Sequence, residues 1–183
     1  MNTLSRLLTC AALASLPLGA LAEETEPTPI GLYIGAEGGY SDIQLNQLDD
    51  SEAYKVYAGY YFVEAFGMEA GYGYLGEFDV ALPGASSSVE VDNVYQAAFV
   101  FSGPLLIFED GRIHARYGYY QGTVTPKSTN ATADSSDSSS FTYALGLSYP
   151  LFRPLSLTFN YQFYNDIESE SISTYSLGLR TDF

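Results

Sequence analysis

The chain has 183 residues, with Lys plus Arg 7 against Asp plus Glu 22 and a formal net charge of −15. So few cations exclude nucleic-acid binding, which needs a basic face to neutralise phosphates. One Cys and one His exclude a disulfide framework, a cysteine zinc site and a paired-histidine metal site, while 17 Gly and 17 Tyr point to strands rather than helices.

Residues 1–22 read as a secretory signal peptide: Arg6 supplies the positive start, residues 7–18 the apolar stretch, and Ala20-Leu21-Ala22 a small-x-small cleavage site. Cys10 lies inside this segment and is expected to leave with it. Residues 23–29 are expected to form a short leader, and residues 30–183 one domain. After Ala22 no run of about 18 apolar residues occurs, so no helix is expected to cross a membrane.

From Leu32 onward apolar and small or polar residues alternate with period 2, segment after segment. The bulky positions of the first three expected strands are Leu32–Tyr40, Tyr54–Phe62 and Met68–Tyr74, every second residue in each. The fourth and fifth follow at Tyr95–Phe101 and Ile113–Tyr119. The last three are Phe141–Tyr149, Leu155–Phe163 and Tyr175–Phe183. The links at 41–52, 76–88, 125–140 and 165–171 are long or polar, and the Ser/Thr/Asp-rich 125–140 is expected to be mobile. Those at 63–66 and 150–154 are short. The link at 102–111 leaves two routes open: a turn at Ser102-Gly103-Pro104, or a longer fourth strand turning at Asp110-Gly111.

Alternation does not say which face points inward; side-chain size does. Eight strands enclose a lumen just wide enough for side chains to fill. The bulky face carries Tyr, Phe or Leu on every strand and would overfill it. The other face holds Gly35, Gly39, Gly59, Gly71, Gly73, Gly118, Gly146 and Gly178, with small polar residues and a few charges. The bulky face is therefore expected to face lipid, and the barrel to close, because an open edge in hydrocarbon leaves backbone groups unpaired. The fold expected is all-β: an eight-stranded antiparallel up-and-down transmembrane β-barrel. Glu37, Lys55, Glu69, His114, Arg116, Arg180 and Asp182 then face the lumen. Mixed signs on one buried face imply a salt-bridged polar interior with at least one carboxylate–guanidinium pair. With no Trp, the interfacial girdles fall to Tyr and Phe, among them Tyr40, Tyr54, Phe62, Phe66, Tyr74, Phe141, Tyr149, Phe163, Tyr175 and Phe183.

The chain ends in Tyr175-Ser-Leu-Gly-Leu-Arg-Thr-Asp-Phe183 and opens its first strand with Gly31-Leu-Tyr-Ile-Gly-Ala-Glu-Gly-Gly-Tyr40. With the eight alternating segments, these resemble the small eight-stranded outer-membrane barrels of Gram-negative bacteria, the OmpA-like and OmpX-like transmembrane domains. The resemblance implies that Tyr175, Leu177, Gly178, Leu179 and Phe183 form a C-terminal signal read by the barrel-assembly machinery. Thr181 departs from the family pattern, which has an aromatic there. The resemblance also implies an outer-membrane location after cleavage of the signal peptide, contact with outer-membrane lipid including lipopolysaccharide, and a monomer. No sequence is left for a peptidoglycan-binding domain.

The function expected is a non-enzymatic outer-membrane barrel acting through four acidic extracellular loops, with a polar, plugged lumen and no cofactor or metal. The loop carboxylates are Asp42, Asp49, Asp50 and Glu52; Glu77 and Asp79; Asp134 and Asp137; and Asp166, Glu168 and Glu170. They form a solvated acidic surface or, alternatively, hold divalent cations against anionic lipid. Three other readings stand beside this one. A narrow pore is suggested by the gaps that inward glycines leave. A soluble exported ligand-binding barrel is a second. The third is an enzyme acting on lipid A, but its relatives use a His-x-Ser arrangement and this chain has His114-Ala115-Arg116.

Overall fold

The computed structural model describes residues 30–43, 51–82, 85–105, 110–128, 131–132, 135–167 and 170–183. The expected signal peptide, the leader, and Asp49, Asp50, Asp134 and Glu168 lie outside the described residues.

Ten strand segments follow one another: β1 Gly31–Ile43, β2 Ser51–Val63, β3 Phe66–Tyr74, β4 Gly76–Leu82, β5 Ala85–Pro104, β6 Arg112–Ser128, β7 Ala131–Thr132, β8 Ser136–Phe152, β9 Leu155–Ile167 and β10 Glu170–Asp182. β4 prolongs β3 along the same neighbour, β5, and β7 prolongs β8 along β6, so the ten segments make eight staves. Each stave pairs antiparallel with the next, and β1 pairs with β10 from Tyr33↔Asp182 to Ile43↔Ile172, which closes the barrel. No open edge remains, as a wall in hydrocarbon requires.

The strands run longer than the alternation suggests. β5 continues through Ser102-Gly103-Pro104, so the chain does not turn there, as the second route expects; the Leu105 N–H donates to the Gly111 carbonyl at 2.7 Å, and residues 106–109 lie outside the described residues. Residues 76–82 and 85–91 form a paired hairpin rather than a loop, and β6 and β8 extend into the segment expected to be mobile, to Ser128 and from Ser136. Glu77 and Asp79 therefore stand on β4, and Asp42, Glu52, Asp137 and Asp166 on strand ends. Backbone pairing with a long neighbour extends these polar stretches, whatever their own propensity.

The bulky face points outward throughout the apolar band. Leu145, Phe159 and Leu177 are about half exposed, while Gly71, Gly146 and Gly178 face the lumen. At the outer end the pattern inverts. Phe78, Val91 and Ile167 continue the parity of the outward Tyr72, Tyr95 and Phe159 along their staves, yet all three are buried inside. Between each pair of parities lies a residue with positive φ: Gly76 at 122°, Asn93 at 50° and Asp166 at 58°. One inserted residue turns the following side chains to the opposite face. Above these slips the wall is an ordinary water-exposed sheet, apolar inside and polar outside.

Candidate functional site: the filled lumen

Three layers occupy the interior. The layer at the end that carries both ends of the barrel, Gly31 and Phe183, is aromatic: Tyr33, Tyr57, Tyr61 and Val100 pack together. The Arg180 guanidinium lies 5.2 Å from the Tyr33 ring and 6.0 Å from the Tyr61 ring, and its Nε is 3.1 Å from an Asp182 carboxylate oxygen. Arg180 and Asp182 are thus a pair of their own at this end; Asp182 is half-buried.

The middle layer holds the other charges. Lys55 Nζ is 2.6 Å from Glu37 Oε1, and Arg116 Nε is 3.1 Å from Glu69 Oε2; all four side chains are buried. Asn160 joins the two pairs: its Nδ2 donates to Glu37 Oε2 at 2.6 Å, and its Oδ1 accepts from Arg116 Nη1 at 2.8 Å. His114 Nε2 lies 2.7 Å from the same Oδ1. Since Oδ1 can only accept, His114 carries its proton on Nε2. Lys55 also donates to Gln162 Oε1 at 2.7 Å, and Gln162 Nε2 donates to Gln96 Oε1 at 2.8 Å and Thr142 Oγ1 at 2.9 Å. Tyr33 closes the layer from below, its hydroxyl donating to Glu69 Oε2 at 3.1 Å. Apart from Lys55–Glu37 and Gln162–Thr142, which join adjacent staves, these bonds cross the lumen between staves that are not neighbours, so they brace the wall.

Asn160 and the Gln96–Gln162 pair are members of the network that charge-based sequence reasoning missed. The signal was available: inward parity on the fourth and seventh expected strands placed both groups on the lumen face.

The outer layer is apolar, built from Leu75, Phe78, Val91, Val94, Tyr120, Val124, Tyr164, Ile167 and Ile172. Between it and the Glu37–Lys55 pair is a cavity of about 20 Å³ lined in part by Gln162, Thr174 and Ser176, room for about one water.

The register explains the interior glycines. Tyr33 stands opposite Gly59, Tyr57 opposite Gly35, Glu37 opposite Gly178, Lys55 opposite Gly73, Gln96 opposite Gly71 and His114 opposite Gly146. A Cβ on Gly59 would collide with the Tyr33 ring, and one on Gly146 with Asn160 and His114. Each glycine is the space into which its neighbour's large side chain lies. Gly73 also lines the small cavity beside Glu37 and Lys55, so there the expected gap is present.

At the outer end, among the described residues, Asp42, Glu52, Glu77, Asp79, Glu90, Asp92, Asp137 and Asp166 accompany a single cation, Lys127. Lys127 Nζ is 3.0 Å from Glu77 and 2.9 Å from Glu90, two carboxylates that face each other across β4 and β5. Their hydrogen bonds hold the Lys127 pKa above its ordinary value. Among the described residues no group of three His, Cys, Asp or Glu is placed to hold a metal ion.

Comparison with known proteins agrees with this architecture. Residues 8–183 match the family model described as "Outer membrane protein beta-barrel domain". Three solved structures share the fold, each covering 84% of this chain and 97% of its own. Neisserial surface protein A is 12% identical with a TM-score of 0.63. The outer membrane protein OprG from Pseudomonas aeruginosa is 12% identical with a TM-score of 0.58. The attachment invasion locus protein Ail of Yersinia pestis, in complex with the heparin analogue sucrose octasulfate, is 15% identical with a TM-score of 0.53. No curated protein matches. With the family model spanning nearly the whole chain and the closed barrel on the page, the chain belongs to the outer-membrane β-barrel family, whose location is the outer membrane of Gram-negative bacteria.

Proposed function

We propose that this chain is a non-enzymatic, monomeric outer-membrane barrel with a plugged lumen, which acts through its acidic outer end. In this reading residues 1–22 direct export and are removed. The last strand, with Tyr175, Leu177, Leu179 and Phe183 outward and Gly178 inward, is what the barrel-assembly machinery reads. Outer-membrane lipid, including lipopolysaccharide, surrounds the wall.

The observation that carries the plugged reading is the stack of aromatic, ionic and apolar layers. Ions crossing it would have to pass both the Tyr33–Tyr57–Tyr61 cluster and the apolar outer layer around Phe78. Dewetted apolar constrictions block ions even where some space remains. Purified barrel added to a planar bilayer is expected to leave the conductance at baseline. Steady, large single-channel steps that scale with the amount of inserted protein would overturn the reading.

The non-enzymatic reading rests on His114. Its Nε2 donates to the Asn160 amide rather than to a carboxylate, and the remaining basic nitrogen, Nδ1, is buried with no hydroxyl within hydrogen-bond reach among the described residues. Ser102, opposite it in register, accepts from Arg112 Nε instead. A serine–histidine mechanism needs a free basic nitrogen on the nucleophile's proton.

The surface role rests on sign. The Ail structure holds a polyanion. Here the carboxylates of the outer end repel such a ligand and favour cationic or neutral partners.

A further inference from the structure

We infer that the tyrosine hydroxyls around the outer end of the barrel bind the phosphorylated sugar headgroup of lipopolysaccharide by hydrogen bonding, in place of the cations the chain lacks there. The inference rests on the membrane reading above and deepens it. Its basis is a chemical asymmetry between the two girdles. Toward the outer end, the outward aromatic residues are tyrosines except Phe141 and Phe163; toward the periplasmic end they are phenylalanines except Tyr60 and Tyr149; Tyr117 and Phe99, opposite each other, stand between the two ends. Ring area is the same at both ends, so burial in hydrocarbon does not distinguish them. The hydroxyl does. If phospholipid phosphates sufficed as its partners, the periplasmic girdle would carry it too.

Some of these hydroxyls are engaged within the protein. Tyr72 donates to Asn93 Oδ1 at 2.8 Å, Tyr74 to Glu90 at 3.3 Å and Tyr119 to Ser139 at 2.9 Å, and Tyr161 shares a bond with Ser173 at 3.0 Å. Among the described residues the hydroxyls of Tyr40, Tyr95, Tyr143 and Tyr175 have no protein partner, and all four side chains are about half exposed or more. They stand on the outward face toward the end where Gly76, Asn93 and Asp166 turn the pattern over and the apolar band gives way to a polar outer surface. An anionic lipid there meets a wall whose one nearby described cation, Lys127, is already held by two carboxylates. Neutral phenol donors can satisfy phosphate and sugar oxygens at that depth without a cation.

The test replaces Tyr40, Tyr95, Tyr143 and Tyr175 together by Phe, which removes four hydroxyls and keeps the rings. Wild type and variant are folded into phosphatidylglycerol vesicles with and without lipid A, in EDTA, so that divalent cations cannot bridge carboxylates to phosphates. The temperature of half-conversion to the unfolded gel mobility is then read. The wild type is expected to convert at a higher temperature when lipid A is present. The variant is expected to match wild type in phosphatidylglycerol and to lose most of that upward shift. A control with Tyr60→Phe and Tyr149→Phe is expected to keep it. A wild type without the shift, or a quadruple variant that keeps it in full, overturns the inference alone. Failure of every protein to insert into either vesicle overturns the membrane reading, and the inference with it.

Discussion

Arg116→Met is expected to destabilise the folded barrel by about 3–5 kcal/mol, because it leaves Glu69 as a buried carboxylate without its cation. The loss exceeds that of an ordinary ion pair for two reasons. Asn160 Oδ1 loses a donor at 2.8 Å, one of the two bonds that tie it to β6 across the lumen, the other being that of His114. The Tyr57 ring also loses the guanidinium 5.2 Å from its centroid. The measurement is urea unfolding in vesicles, compared with a second variant, Arg116→Met with Glu69→Leu. Removing both charges together is expected to recover most of the loss, since apolar residues of similar volume replace a buried pair at little cost. A single variant as stable as wild type would mean that Glu69 reaches water, and that the middle layer is not sealed.

Gly39→Val is expected to have the second large effect, on assembly itself. A Cβ at Gly39 would overlap the backbone carbonyl of Tyr175, and it would come within 2.7 Å of Ser176 Cα. Both atoms belong to the wall of β10, so no side-chain rotation relieves the clash. The seam between β1 and β10 is the one that closes the barrel. The cost is ~3 kcal/mol or more, the upper end of what overpacking produces. The expected result is loss of the heat-modifiable folded band. Gly103→Ala is the matched control: nothing lies within 4 Å of its Cβ position, and it is expected to fold normally. A folded Gly39→Val barrel would show that the β1–β10 seam is looser than its register indicates.

The orientation of the wall was legible in the sequence because it depends on volume. Alternation marked two faces on every strand, and only one of them, with Gly35, Gly59 and Gly146, could fit inside eight strands. What the alternation did not carry was register. That Gly59 makes room for Tyr33, and Gly146 for His114, becomes visible only once neighbouring strands are set side by side. The same limit hid the inversion at the outer end. Phe78 and Ile167 keep the parity of lipid-facing residues, and a single positive-φ residue before each turns them inward. Gly76 tolerates such a conformation freely; Asp166 and Asn93 are of the types that adopt it among non-glycine residues. Nothing in an alternating pattern distinguishes a bulge from one more residue of strand. Asn160 was overlooked for a different reason: it bears no charge, yet one amide joins both ion pairs because it can donate and accept at once.

The orientation of the alternating faces is tested most directly by where lipid touches the wall. Single cysteines at neighbouring positions, in a chain with Cys10 absent, can be labelled in the folded barrel and reconstituted with brominated lipids. Quenching is expected for a fluorophore at Leu145, Phe159 or Leu177. At Ala144, Thr158 or Ser176, the lumen-facing neighbours, labelling is expected to be blocked unless the protein is first unfolded. Quenching that tracked Ala144, Thr158 and Ser176, with Leu145, Phe159 and Leu177 shielded, would contradict the account at its foundation.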